Sequence, residues 1–152
     1  MPQTLEAYHA EIEAMIVEGE ALVAVRDPAT AKRVKRRVAD SMLLVASYQL
    51  FIHRNVFAPL LGQSDPAMRS RVNELKVECI ALTEDLRFNV KDFLADQAPL
   101  DWDLTAAKMA WFNGRLKTHI ADVRALMSPD LSDKQHLALI AGRTGAVGPV
   151  AA

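Results

Sequence analysis

Apolar residues return every three or four positions through four stretches of this 152-residue chain, and each stretch is bracketed by residues that start or stop helices. That spacing predicts a first helix over about Thr4 to Arg26, with Leu5, His9, Ile12, Ile16 and Val23 on one stripe and the glutamates at 11, 13, 18 and 20 mostly off it. Gly19 costs this helix roughly 1 kcal/mol. Asp27-Pro28 then offers a capping side chain followed by a proline at the first helical position, where the missing N–H is harmless. The second helix is expected to run to about Leu61 with Val34, Val38, Val45, Tyr48, Ile52 and Val56 inward. Pro59 should bend or end its last turn, and Gly62 should cap it.

Asp65-Pro66 repeats the cap-and-proline start. The third helix carries the cleanest stripe, Met68, Val72, Leu75, Cys79, Leu82, Leu86, Val90 and Phe93. After Ala98-Pro99, Asp101 can cap a fourth, with Met109, Phe112, Leu116, His119, Val123 and Leu126 inward before Ser128-Pro129 stops it. Gly114 is expected to admit a close neighbour there. Four long helices with short connections predict an all-α fold, an up-down-up-down antiparallel four-helix bundle over residues 1–130. Residues 131–152 should form a short C-terminal helix, Asp133 to Ala141, that packs Leu137 and Ile140 on the bundle, followed by a flexible tail rich in glycine and small residues.

Composition narrows the function classes. Charges nearly cancel, at a net of −1, so nothing in the bulk charge attracts nucleic acid or a membrane surface. A single cysteine forbids an internal disulfide and suits a reducing compartment. The opening Met1-Pro2-Gln3-Thr4 leads straight into charged helical sequence without the basic and apolar segments of a signal peptide, so a cytoplasmic location is expected. Runs such as Met42 to Ile52 are too short and interrupted to span a bilayer.

Residues equidistant from the turn of an antiparallel hairpin lie at the same height. Reflection through the turn near residue 28 brings His9 level with Tyr48, the turn near 63 brings Tyr48 level with Cys79, and the turn near 99 brings Cys79 level with His119. These four should share one layer. The next layer outward, Leu5, Ile52, Leu75 and Val123, is wholly apolar.

In that setting Tyr8-His9-Ala10-Glu11-Ile12 resembles the opening histidine segment of the hemerythrin-like family. Leu116-Lys117-Thr118-His119-Ile120, followed by Met127-Ser128-Pro129, is similar to its closing segment. Tyr48 to Leu61, ending Val56-Phe57-Ala58-Pro59-Leu60-Leu61, looks like the family's helix with a histidine, three residues, a glutamate and an aromatic-proline ending. The resemblance covers roughly Leu5 to Pro129. It implies a bundle whose four helices hold two irons with histidines and carboxylates. Here the remaining ligand positions read Tyr48, Ile52, Leu75 and Cys79, and Val123 and Arg124 stand where a last carboxylate belongs. Two cations need several anionic or imidazole donors, so the di-iron centre is expected to be lost and no cofactor to remain. The implied function is a non-enzymatic, cytoplasmic regulatory or interaction module. The alternative is a reduced site in which His9, His119 and Cys79, with Tyr48 or Glu13, hold one zinc or iron ion or a haem and sense or handle oxygen or a related small molecule. A third reading is a bundle unrelated to hemerythrins, its two histidines coincidental.

Other candidates have plainer readings beside the functional ones. His9 and His119 can be hydrogen-bonded core residues with Tyr48 as their partner, and Cys79 can pack as a small hydrophobe. Lys32, Arg33, Lys35, Arg36 and Arg37 crowd the start of the second helix, where the dipole disfavours cations. They are either a flank neutralised by acids of neighbouring helices or a surface for an anionic partner. Without aromatic interleaving they argue against nucleic acid. Glu74, Glu78, Glu84 and Asp85 read as a solvated face, His53 and His136 as surface or flank residues, and Trp102 and Trp111 as closing the packing of the fourth helix. Leu43, Leu50 and Phe51 on the outside of the second helix could make a homodimer face. No serine or cysteine has a neighbouring base and no glycine loop cradles phosphate, so nothing specifies an enzyme.

Overall fold

The start chemistry read from the sequence is used almost atom for atom in the computed structural model, which describes residues 2–63 and 65–128. Thr4 Oγ1 accepts the Ala7 N–H at 3.1 Å and opens α1 (Leu5–Val25). Arg26 ends it in the left-handed region, φ 56°. Asp27 Oδ1 accepts from Ala29 at 2.9 Å and caps a 3-10 turn, Pro28–Thr30, that runs directly into α2 (Ala31–Ile52). A π turn, His53–Phe57, separates α2 from the short α3 (Ala58–Gln63). Asp65 Oδ1 accepts from Met68 at 2.8 Å to open α4 (Pro66–Ala95), and Asp101 Oδ1 from Leu104 at 3.0 Å to open α5 (Trp102–Met127). No strand occurs among the described residues, and none of their helices is long and apolar enough to cross a membrane.

The second predicted helix is therefore interrupted, with Pro59 as the physical cause. Proline has no N–H for the carbonyl of residue 55, and its ring crowds that carbonyl. The backbone widens instead, and the Ala58 N–H bonds the carbonyl of His53, five residues back. Gly62 consequently lies inside α3 rather than beyond a helix end. The predicted helix 133–141, the tail and His136 lie outside the described residues.

Four long helices form a ring of contacts: α1 packs on α2 and α5, α4 packs on α2 and α5, and α3 rests on α4. The expected stripes line the interior. Ile12, Tyr48, Ile52, Leu75, Cys79, Leu116 and Val123 are all buried. Burying a side chain of this size contributes roughly 1.5–3 kcal/mol, which is what holds helices of modest intrinsic propensity in place.

The two halves of the ring differ. Around His9, Tyr48 and His119 the interior is closed, whereas Val38, Phe93, Met109 and Phe112, all stripe residues, are only half-buried because a cleft opens between the helices at their level. The glycines also exchange expectations. Gly114 faces open space, while Gly19 is the one approached by a neighbour, with Met109 Sδ 3.6 Å from where a Cβ would sit. Leu43 and Leu50 are exposed, but Phe51 is not part of an outer apolar face; its ring packs 5.0 Å from that of Tyr8. Trp111 does not close the packing of α5 either. It is 56% exposed and carries the Arg115 guanidinium 4.6 Å above its ring.

Candidate functional site

Four helices deliver one polar chain into the closed half of the interior. Tyr48 of α2 places its hydroxyl between two imidazoles, 3.2 Å from His9 Nε2 on α1 and 3.1 Å from His119 Nε2 on α5. His119 Nδ1 lies 3.2 Å from Glu78 Oε1 on α4. Both histidines are fully buried and Tyr48 is 1% exposed, so each ring nitrogen must find its partner inside the protein. Cys79, also buried on α4, is close enough to Tyr48 to act on it electrostatically. The layer drawn from the turns thus brings together His9, Tyr48, Cys79 and His119.

The hydrogens on this chain can be assigned from its one anionic end. The Glu78 carboxylate only accepts, so His119 Nδ1 carries a hydrogen and His119 Nε2 is an acceptor. Tyr48 then donates to His119 and accepts from His9 Nε2–H. Every bond points the same way, from His9 through Tyr48 and His119 to the half-exposed Glu78. One atom is left over: His9 Nδ1, buried, has no hydrogen-bond partner, and the nearest carboxylate, Glu6 Oε2, is 3.8 Å away.

Burial sets the charge states. It pushes His9 down to about 4, with the Arg124 cation adding to the effect and Glu6 opposing it. Burial also lowers His119, against the Glu78 hydrogen bond that favours its charged form. Burial first, and then Cys79 and Glu78, raise Tyr48, and burial pushes the Cys79 thiol up to about 12. At neutral pH the layer is therefore two neutral imidazoles, a neutral phenol and a neutral thiol. A thiol in that state is not a nucleophile.

Arg124 has the opposite role to the carboxylate expected near its place. Its guanidinium takes both oxygens of Glu13, at 2.9 and 3.1 Å, and one of Glu6 at 3.1 Å. These bonds hold both carboxyls below their ordinary range. Glu13 is thus engaged outside the layer rather than turned toward His9. Glu78 is the residue that sequence reasoning misses: its phase puts it on a solvated face, yet one oxygen supports His119. Its position directly before Cys79 was the available signal, since on a helix the residue beside a stripe member borders the interior. His53 was missed as well. It sits in the π turn, half-buried, with Nε2 enclosed and unpartnered.

Of the basic run, Arg37 pairs with Glu18 at 3.0 Å, and Lys35 donates to the Asp96 carbonyl at 2.6 Å and lies over the Phe93 ring. Lys32, Arg33 and Arg36 stay exposed and form no ion pair among the described residues.

Among the described residues no group of three or more histidine, cysteine, aspartate or glutamate side chains is placed to hold a metal ion. The donor set does not fit two irons: both Nε2 atoms meet one neutral phenol, Ile52, Leu75 and Val123 are apolar, and the nearest carboxylates are bound to Arg124 or stand behind His119. No family model, no curated protein and no solved structure matches the chain.

Proposed function

We propose that this chain is a hemerythrin-like four-helix bundle, wound up-down-up-down, in which a histidine–tyrosine–histidine hydrogen-bond chain stands in place of the family's di-iron centre. On this reading it works in the cytoplasm as a non-enzymatic regulatory or interaction module. Cross-helix pairs that run in opposite chain order support the antiparallel arrangement: His9 with Tyr48 and Glu18 with Arg37, Glu13 with Arg124 and Arg26 with Asp103, Arg71 with Asp122 and Asp85 with Arg115. The observation that carries the functional reading is the Tyr48 hydroxyl, which satisfies both imidazoles from the centre of the layer. Lys32, Arg33 and Arg36 are the exposed cations for an acidic protein partner, and Leu43 and Leu50 the exposed apolar residues for a second copy.

Metal analysis and a visible spectrum of protein purified without chelator test this reading. Less than about a tenth of an equivalent of iron or zinc and no absorption band above about 320 nm are expected; two irons per chain overturn it. One observation favours a second reading, a single ion held by His9, Tyr48 and His119. Donor atoms 3.1–3.2 Å apart match the roughly 3.3 Å between ligands that tetrahedral bonds of about 2.0 Å impose, and Glu78 supports His119 from behind as a carboxylate commonly supports a ligating histidine. One equivalent of metal that is lost in Tyr48→Phe would favour it.

A further inference from the structure

We infer that the cleft at the opposite end of the bundle from the histidine layer is a binding site for an uncharged aromatic or alicyclic molecule of about two rings. The cleft has a volume of about 280 Å³ and is walled by all four long helices. Its apolar surface comes largely from residues the sequence marks as core, Val38, Leu86, Phe93, Met109 and Phe112, together with Met15. Five of the six, Met15, Val38, Phe93, Met109 and Phe112, are only half-buried because no side chain of the described residues fills the space they face. Contiguous apolar surface enclosed on several sides is the usual ground of a small-molecule site.

Size and charge define the ligand. A dry apolar cavity of about 150 Å³ accommodates benzene, so one of this volume takes roughly two fused rings, about 10–12 non-hydrogen atoms. Two of the rim carboxylates are already matched. Glu18 is held by Arg37 at 3.0 Å and Asp85 by Arg115 at 2.7 Å, and Lys35 caps the Asp96 carbonyl. Asp92, Asp96 and Lys108 at the rim are exposed and form no ion pair among the described residues. An ionised ligand would lose hydration among the apolar walls, and solvent-exposed rim charges of both signs return little for it. Lining amides and hydroxyls are also committed: Ser41 donates to the Val38 carbonyl, Asn89 to that of Asp85 and Asn113 to Glu20. The Thr105 hydroxyl has no hydrogen-bond partner among the described residues and can receive one polar group of the ligand. Met15 and Met109, unbranched and polarisable, adapt the walls to a ring, and Gly19 keeps the α1 side open opposite Met109.

The test uses the full chain and 2-naphthol, uncharged at pH 7. Fluorescence titration should give saturable binding of one molecule per chain, with a Kd on the order of 10–100 µM, and 2-naphthoate, its anionic counterpart in size, should bind at least about tenfold more weakly. With methyl-labelled methionine, the Met15 and Met109 resonances should move during the titration and that of Met68 should not. Gly19→Leu, which fills the cleft, should weaken binding by about tenfold, while Gly114→Leu, on open surface of α5, should leave it unchanged. The methionine shifts need no variant and decide the matter if Gly19→Leu does not fold. Absence of saturable binding, equal binding of the anion, stationary Met15 and Met109 methyls, or unaltered binding in folded Gly19→Leu each overturns the assignment. So does an affinity that falls as protein concentration rises, which would place a second copy of the chain in the cleft.

Discussion

Replacing Tyr48 by phenylalanine removes one oxygen from the interior and leaves the ring in place. That oxygen is 3.2 Å from His9 Nε2 and 3.1 Å from His119 Nε2, and neither imidazole has solvent access. Tyr48→Phe therefore orphans one buried donor and one buried acceptor. Each costs about 1–3 kcal/mol, and partial relaxation of the rings toward one another recovers some of this, so a loss of about 3 kcal/mol is expected. For a chain of this length that corresponds to a Tm lower by roughly 6–12 °C. The assay is urea unfolding at pH 7.5 followed by circular dichroism, with the m-value unchanged if only stability has moved. A cycle with His9→Leu sharpens it: the pair should couple by about 1–2 kcal/mol, because removing both partners leaves fewer unmet groups than removing one. A loss below about 0.5 kcal/mol with no coupling would refute the claim that the phenol serves both imidazoles. A loss that disappears when a chelator is present would instead identify the phenol as a metal ligand.

Three further outcomes follow from the same geometry. His9 holds its proton less tightly in the folded chain, about 4 against 6.5 unfolded, so its contribution is complete above pH 6.5 and is lost as pH falls toward 4. The full effect is about 3 kcal/mol, and His9→Leu should flatten the fall of the urea midpoint between pH 7 and pH 4.5. Arg124→Met removes the cation shared by Glu6 and Glu13, which should cost about 1 kcal/mol at low salt and less at 0.5 M sodium chloride, since the pair is partly exposed. Gly114→Ala, with nothing within 4 Å of the added methyl, should raise stability by up to about 1 kcal/mol through helix propensity alone, read as a higher Tm.

The helices were legible because their signals are local. Thr4, Asp27, Asp65 and Asp101 each had a backbone N–H two or three residues away to bond, and that relation does not depend on the rest of the molecule. The layer of His9, Tyr48, Cys79 and His119 was legible for the next simplest reason, since turn positions and rise per residue fix height in a hairpin. What could not be read was rotation about the helix axes. Glu78 lies one position from the stripe, and whether it reaches His119 depends on how far α4 is turned, which only packing decides. The same holds for Arg124, whose long side chain crosses to α1 to collect two glutamates. Gly19 and Gly114 are alike in sequence, and only the neighbouring helix distinguishes the one that meets Met109 from the one that meets nothing. Val38, Phe93, Met109 and Phe112 carried the right periodicity, but periodicity names the direction a residue faces and not whether the space there is filled.

The π turn at His53–Phe57 changes how the following segment has to be compared with any other helix. In an uninterrupted helix position 59 would come back under Ile52, two turns on, and a proline would face the core. Here Val56 and Phe57, adjacent in the chain, are both buried and Pro59 is exposed. The chain behaves as though one amino acid had been inserted and the surplus absorbed within five positions. Superposing α2 and α3 on a straight helix therefore demands a one-residue gap between 52 and 57, and without it every later position would be set against one about 100° away around the axis.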